Sequence, residues 1–279
     1  MKEIAVGCDL AYDVVTPTTF LFNLSVAPGS YQNVIQESFQ LTPHVEMEFF
    51  PLGLAQNRVQ RVRLFPCQFR LQYEARVVLQ AGIDSATSLT EQPYRELPPE
   101  VLPYLNPSRF CESDLLGEFA MSEFGKLPHG HSRVVSICDW IHSHIRYTPD
   151  STTAETTARD VLVQRLGVCR DFAHLAIAFC RALSIPARYV SGYALDLNPP
   201  DFHGFFEAYL GERWYLFDAT KLAPIGGLVR IATGADAADV PFATLIGSAT
   251  LSGKSVWASR ISGNTNLNPG QNDQAISTA

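Results

Sequence analysis

The sequence predicts an α+β protein in which a β-sandwich precedes a mixed unit of helices and strands. Three observations predict it. Residues 1–104 carry short alternating apolar runs and no 3.6-residue pattern. A Pro-rich passage, "ELPPEVLPYLNPSR", follows, and beyond it the apolar period becomes helical. Strand-like runs then return between residues 187 and 219.

The N-terminal strands are "AVGCDLAYDVV", "TTFLFNLSV", "SFQLTPHVEMEFF", "RVQRVRLFPC" and "FRLQYEARVVLQ", punctuated by Pro, Gly and Asn. Alternation is cleanest at Leu71, Tyr73, Ala75 and Val77, and several such strands at short spacing predict a sandwich. In "RVVSICDWIHSHI", Val134, Ile137, Cys138, Ile141 and Ile145 share one helical face. "TARDVLVQRL" is a shorter helix stopped by Gly167. In "GVCRDFAHLAIAFCRAL", Phe172, Leu175, Ala176, Phe179, Ala182 and Leu183 form a buried stripe that Pro186 ends. "ARYVSGYAL", "HGFFEAYL" and "RWYLFDA" follow as strands. Residues 259–279 are polar and rich in Asn, Gly and Ser, which predicts a disordered tail after a second unit at 105–258.

Composition narrows the function classes. With 46% apolar and 18% charged residues, the 279-residue chain has an ordinary globular balance. A net charge of −7 without a Lys/Arg cluster predicts no nucleic-acid partner. The apolar runs are too short for a membrane span, and the first residues lack a basic-then-apolar leader. The expectation is a cytoplasmic protein with no membrane partner. Its six cysteines form no CxxC pair and read as reduced thiols.

One of those thiols stands apart. Cys169 opens the helix of residues 169–183, where unpaired N–H groups and the helix dipole favour an anion. Arg170 adds positive charge nearby, and the same N–H groups can hold an oxyanion. Taken alone, a capping or buried cysteine is the commoner reading. A thiolate nucleophile also needs a base. His174, five residues on, is turned about 140° away on a helix and reads as a core or surface histidine. His203 fits better. If residues 203–210 and 213–220 form a hairpin across Gly211 and Glu212, paired numbers sum to 423, and His203 shares a face with Asp218 as its diagonal neighbour. An odd loop would put them on opposite faces. Cys169, His203 and Asp218 are then a nucleophile, a base and an orienting carboxylate in workable order.

"GVCRDFAHLAIAFCRALSIPARYVSGYA" and "DFHGFFEAYLGERWYLFDAT" closely resemble the bacterial transglutaminase-like family, whose members are often described as candidate cysteine proteases. The resemblance runs from about residue 105 to 257 and includes "NPSRFCESDLLGEFA" and "ICDWIHSHIRYTPDST". More weakly, the N-terminal strands resemble the β-rich domain preceding the core in these proteins. The resemblance implies a papain-like α+β core with Cys169 as nucleophile, His203 as base and Asp218 as orienter, acting on a protein or peptide substrate. The family commonly has His-Ala-Trp where this chain has His203-Gly204-Phe205. A smaller aromatic wall beside the base would admit water, so hydrolysis is expected over amine transfer to lysine. Amine transfer, and a binding module with a vestigial site, are the alternatives. Tyr147 is a candidate oxyanion donor through its phenol, or else an ordinary core tyrosine.

Other motifs are set aside. His142 and His144 are about 200° apart on a helix, and His129 and His131 lack a third ligand, so neither pair predicts a metal site. "GSATLSGKS" has five residues between Gly247 and Gly253 where a phosphate-binding loop has four. Asp171 is a first-turn carboxylate that could also anchor Arg170. No cofactor is expected.

Overall fold

Alternation in the N-terminal hundred residues builds three strands of each of two facing sheets. The computed structural model describes residues 1–262 and 274–279. Strands β1 (Lys2–Val14), β2 (Thr18–Phe22), β3 (Gln32–Thr42), β4 (Met47–Leu52), β5 (Asn57–Leu64), β6 (Cys67–Leu79) and β7 (Gly82–Ser85) come first. The segment "SFQLTPHVEMEFF", read above as one strand, is split between β3 and β4 by a turn at Pro43. On β6, Phe69, Leu71, Tyr73, Ala75, Val77 and Leu79 are buried while their neighbours are not, as the alternation predicts. Tyr12, Phe20, Phe22 and Phe69 interlock between the sheets, with ring centroids 5.0–6.4 Å apart.

The helical part follows: α1 (Gly117–Phe124), α2 (His131–His144), β8 (Arg146–Tyr147), α3 (Ala158–Gln164), β9 (Leu166–Gly167) and α4 (Cys169–Ala182). Next come β10 (Ala187–Ala194), β11 (Phe202–Leu210), β12 (Arg213–Phe217) and β13 (Leu228–Gly234). These four form an antiparallel sheet in the order β12-β11-β10-β13, and β8 pairs with β9 in parallel. Every residue of α4 from 171 to 181 is buried. The helix lies on β10 and β11, with the other three helices packed against it. The apolar stripe read from the sequence is thus only part of a fully enclosed helix.

The C-terminal segments differ from expectation. β14 (Ala243–Ile246) pairs with β2, and β15 (Ala249–Ser262) runs antiparallel along β1, completing sheets β14-β2-β5-β4 and β15-β1-β6-β3. Residues 243–258, assigned above to the second unit, belong in space to the N-terminal sandwich. The expected tail is also corrected where it is described: residues 259–262 end β15, and β16 (Gln274–Ser277) pairs with β7. The rest of that expectation, residues 263–273, lies outside the described residues. Polarity misled here because β15 is held by its backbone, with Val256 its single buried side chain.

The sandwich and the catalytic-type unit share one continuous apolar core. Edge strand β13 is closed by side-chain amides from the sandwich. Asn57 exchanges two hydrogen bonds with the Thr233 backbone (2.8 and 3.0 Å), and Gln32 does the same with Arg230 (2.8 and 2.9 Å). No helix among the described residues is long and apolar enough to cross a membrane.

The last six residues dock on the sheet. Ala275, Ser277 and Thr278 are buried, and Arg230 Nη2 donates to Thr278 Oγ1 (3.1 Å). Deleting residues 274–279 should therefore lower the thermal midpoint by at least about 3 °C, the shift expected for losing roughly 1 kcal/mol in a chain of this size. An unchanged melting curve would show that the docking contributes nothing.

Candidate active site

The site is assembled at the first turn of α4. Asp171, fully buried, takes the Val168 N–H (2.9 Å) and the Thr152 hydroxyl (2.7 Å) on Oδ2. Its Oδ1 accepts from Arg170 Nε and Nη2 (3.1 and 2.9 Å). Asp171 is thus both a first-turn carboxylate and the anchor of Arg170. Arg170 also donates to Thr153 O (2.7 Å), so its charge is consumed by its neighbour. The arginine that sequence reading credited thus adds little positive charge toward Cys169, which faces the helix terminus and the His203 imidazole.

The hairpin condition is met. β11 and β12 pair with numbers summing to 423, from Phe206 opposite Phe217 to Leu210 opposite Arg213. The loop is the two-residue Gly211–Glu212 turn, with φ of 51° and 69°. Positive φ at both positions is the type I′ geometry that suits a tight hairpin. His203 Nε2 accordingly lies 2.7 Å from Asp218 Oδ2, with both side chains at most 2% exposed. That leaves Nδ1 as the unengaged imidazole nitrogen, with the Cys169 thiol close enough to act on the charge of the ring. The structure thus brings Cys169, His203 and Asp218 together.

The imidazole is poised to keep a proton. Burial disfavours its charge, but the Asp218 hydrogen bond and the Cys169 thiol outweigh burial and push His203 up to about 10. Of the six cysteines, only Cys67 and Cys169 are partly exposed. Burial pushes Cys8 and Cys111 up to about 12, and Cys138 and Cys180 well above the ordinary thiol range.

Tyr147 is not a core residue: it is 40% exposed, and its phenol lies against the backbone N–H and thiol of Cys169. Partial burial and the neighbouring thiol raise it to about 12, so at neutral pH it is a protonated donor beside the helix N-terminus. His174 is a core histidine, fully buried, accepting the Ala237 N–H at Nε2 (3.1 Å), with burial lowering it to about 3. Phe205 corrects the acceptor-wall expectation. It is 1% exposed and packs with Val190, Leu216 and Leu228, so it lines no cleft. "GSATLSGKS" runs from a turn into β15 with no helix behind it.

Comparison with known proteins agrees with this geometry. Residues 1–100 match the bacterial transglutaminase N-terminal domain, and residues 121–219 match the core of the transglutaminase-like superfamily. The crystal structure of a candidate cysteine protease from Cytophaga hutchinsonii is 40% identical, with a TM-score of 0.95, covering 99% of this chain and 97% of that one. The chain belongs to the transglutaminase-like superfamily. Among curated relatives, an uncharacterized Mycobacterium leprae protein is 34% identical over 119 residues, which is 38% of this chain and 41% of that protein. An uncharacterized Mycobacterium tuberculosis protein is 48% identical over 60 residues, 22% of this chain and 19% of that one. The match therefore spans well under half the length of either.

Sequence reading missed several supports of this transglutaminase-like site. Thr220 donates its N–H (2.8 Å) and hydroxyl (2.7 Å) to Asp218 Oδ1, so both carboxylate oxygens are engaged. The signal was present: an Asp whose own N–H two residues on can close an Asx-turn. His142, set aside as a metal decoy, donates from Nδ1 to Thr220 O (3.1 Å) and braces that turn. Tyr189 and the close approach at Gly204 carried no signal in one sequence.

Iodoacetamide at pH 7 should label Cys169 first and Cys67 second, with the four buried cysteines protected until unfolding. Labelling of Cys67 ahead of Cys169 would remove the case for an activated thiol.

The histidine also predicts a stability profile. Its folded value lies above the unfolded 6.5, so the imidazolium stabilises the fold fully below about pH 6.5, and that stability is lost as pH rises through about 10. The thermal midpoint of the wild type over Asp218→Asn should be largest near pH 6 and shrink steadily toward pH 10. A constant gap across that range would contradict the raised value.

Proposed function

We propose that this transglutaminase-like protein is a thiol-dependent acyl-transfer enzyme that cleaves peptide or amide bonds, with water as the final acceptor. The observation that carries the reading is the 2.7 Å His203–Asp218 hydrogen bond beside a partly exposed cysteine at a helix N-terminus. The similarity to a candidate cysteine protease across nearly the whole chain supports it.

In this reading Cys169 Sγ attacks the substrate carbonyl carbon. The oxyanion is held by the Cys169 N–H and the Tyr147 phenol. His203 passes the proton taken from the thiol to the departing amine, leaving a thioester on Cys169. Water, deprotonated by His203, then attacks the thioester, and the thiol takes the proton back as the acid leaves. Asp218 keeps Nε2–H engaged and so presents Nδ1 to the reacting atoms throughout. Hydrolysis is favoured because Tyr147, the ring at the thiol, is 40% exposed and does not close a water-tight channel. In this reading the substrate is a protein or peptide.

A peptide library offered with and without excess fluorescent amine tests the reading. Hydrolysis should dominate, vanish in Cys169→Ala, and fall about 10²–10⁴-fold in His203→Ala, the usual contribution of a general acid–base group. Amine incorporation exceeding hydrolysis and lost in Cys169→Ala would replace this reading with protein-glutamine amine transfer. Absence of both in folded protein would favour a binding module.

A further inference from the structure

Gly204 follows His203 on β11 and meets the first turn of α4. A Cβ built there would fall 2.2 Å from Tyr189 Oη, 3.0 Å from Tyr189 Cζ and 3.2 Å from Arg170 Cα. Arg170 directly follows Cys169, and Gly204 directly follows His203. The close approach of strand and helix therefore lies one residue from Cys169 on α4 and one residue from His203 on β11.

Tyr189 fills that gap from the side. It lies opposite Phe206 in the β10–β11 ladder, which makes it the diagonal neighbour of Gly204 on the face toward α4. It is 6% exposed, and its ring rests on His174 with centroids 5.2 Å apart. His174 is in turn stacked on Phe110 at 5.1 Å and an interplanar angle of 13°. A ring backed by two more buried rings cannot swing aside without disturbing the core.

We propose that Gly204 is a positioning residue: its missing Cβ lets β11 approach the first turn of α4 closely enough to set the separation of Cys169 Sγ and His203, with Tyr189 the neighbour that leaves no room for a side chain. The Tyr189 hydroxyl fills the space a Cβ would need, so only a residue without Cβ lets β11 settle at this distance. A side chain at 204 wedges the strand from the helix turn and draws the base away from the thiol. This rests on the reading of Cys169 and His203 as nucleophile and base.

The test is the pH profile of Cys169 alkylation, with the thermal midpoint recorded, in the full-length wild type, Gly204→Ala, Tyr189→Phe and the double variant. At pH 7 Cys169 of the wild type should alkylate faster than Cys67, the other partly exposed thiol. Gly204→Ala should alkylate at least about tenfold more slowly at pH 7, with its pH profile changed from that of the wild type, since a displacement near 1 Å costs up to about 10²-fold at such sites. Tyr189→Phe should stay within about threefold of the wild type. Removing the hydroxyl takes away the 2.2 Å contact, so the double variant should recover to within about threefold of Tyr189→Phe. Should Gly204→Ala fail to fold, recovery of fold and reactivity in the double variant carries the proposal. A normal profile in Gly204→Ala, a double variant as impaired as Gly204→Ala, or a collapse in Tyr189→Phe alone would each overturn it. A wild-type Cys169 that alkylates no faster than Cys67 would overturn the nucleophile reading itself.

Discussion

The hydrogen bond between His203 and Asp218 depends on a turn that begins eight residues after His203 and ends six before Asp218. Gly211 and Glu212 form a two-residue loop with positive φ at both positions, and that loop fixes which numbers face each other across β11 and β12. One residue more or fewer would turn Asp218 to the opposite face of the sheet, because side chains alternate with a period of two. The ionic chemistry follows from this register. A carboxylate 2% exposed is costly unless its oxygens are occupied, and here His203 takes one while Thr220 supplies two donors to the other. His142 then holds the Thr220 carbonyl from α2, tying the turn behind Asp218 to the helical layer.

Cys169 is positioned by a separate device. β8 and β9 pair over only two residues, yet this brings Tyr147 alongside Gly167, two residues before Cys169. Asp171 binds back to the Val168 N–H and outward to Thr152, locking the approach to the helix. Arg170 belongs to this scaffold, tied to Asp171 and to the Thr153 carbonyl. A charge inferred from sequence adjacency is therefore neutralised by the residue beside it. The electrostatics at the thiol come from the helix terminus and the protonated imidazole.

How much of this was legible follows from what each element buries. The β6 alternation was readable because its inner face fills the sandwich core. The α4 stripe and the hairpin register were readable for similar reasons, and with them the grouping of Cys169, His203 and Asp218. β15 was not readable. Its side chains are mostly exposed, and its fourteen residues are specified by backbone pairing along nearly the whole of β1. β16 is four residues long, and neither its Gln274 nor its Ser277 marks a strand, although Ser277 is fully buried. Partners distant in sequence, such as Thr233 for Asn57, leave no local periodicity to detect.

The amide pairs on β13 bear on what the N-terminal sandwich is for. An exposed edge strand invites pairing with another chain, and sheets usually cover or interrupt such edges. Here Asn57 and Gln32 each mimic a short stretch of strand, donating to one carbonyl and accepting from the N–H of the same residue. Tyr193 adds a hydrogen bond from the β10 layer to Leu24 O (2.9 Å), at the centre of the shared core. β13 borders β10, and β10 borders the strand that carries His203. The sandwich thus closes the sheet that carries His203. Its buried face is committed to the core, and any binding role it has must fall to the remaining surface. The N-terminal strands are better understood as part of the scaffold of the site than as a separable module attached to it.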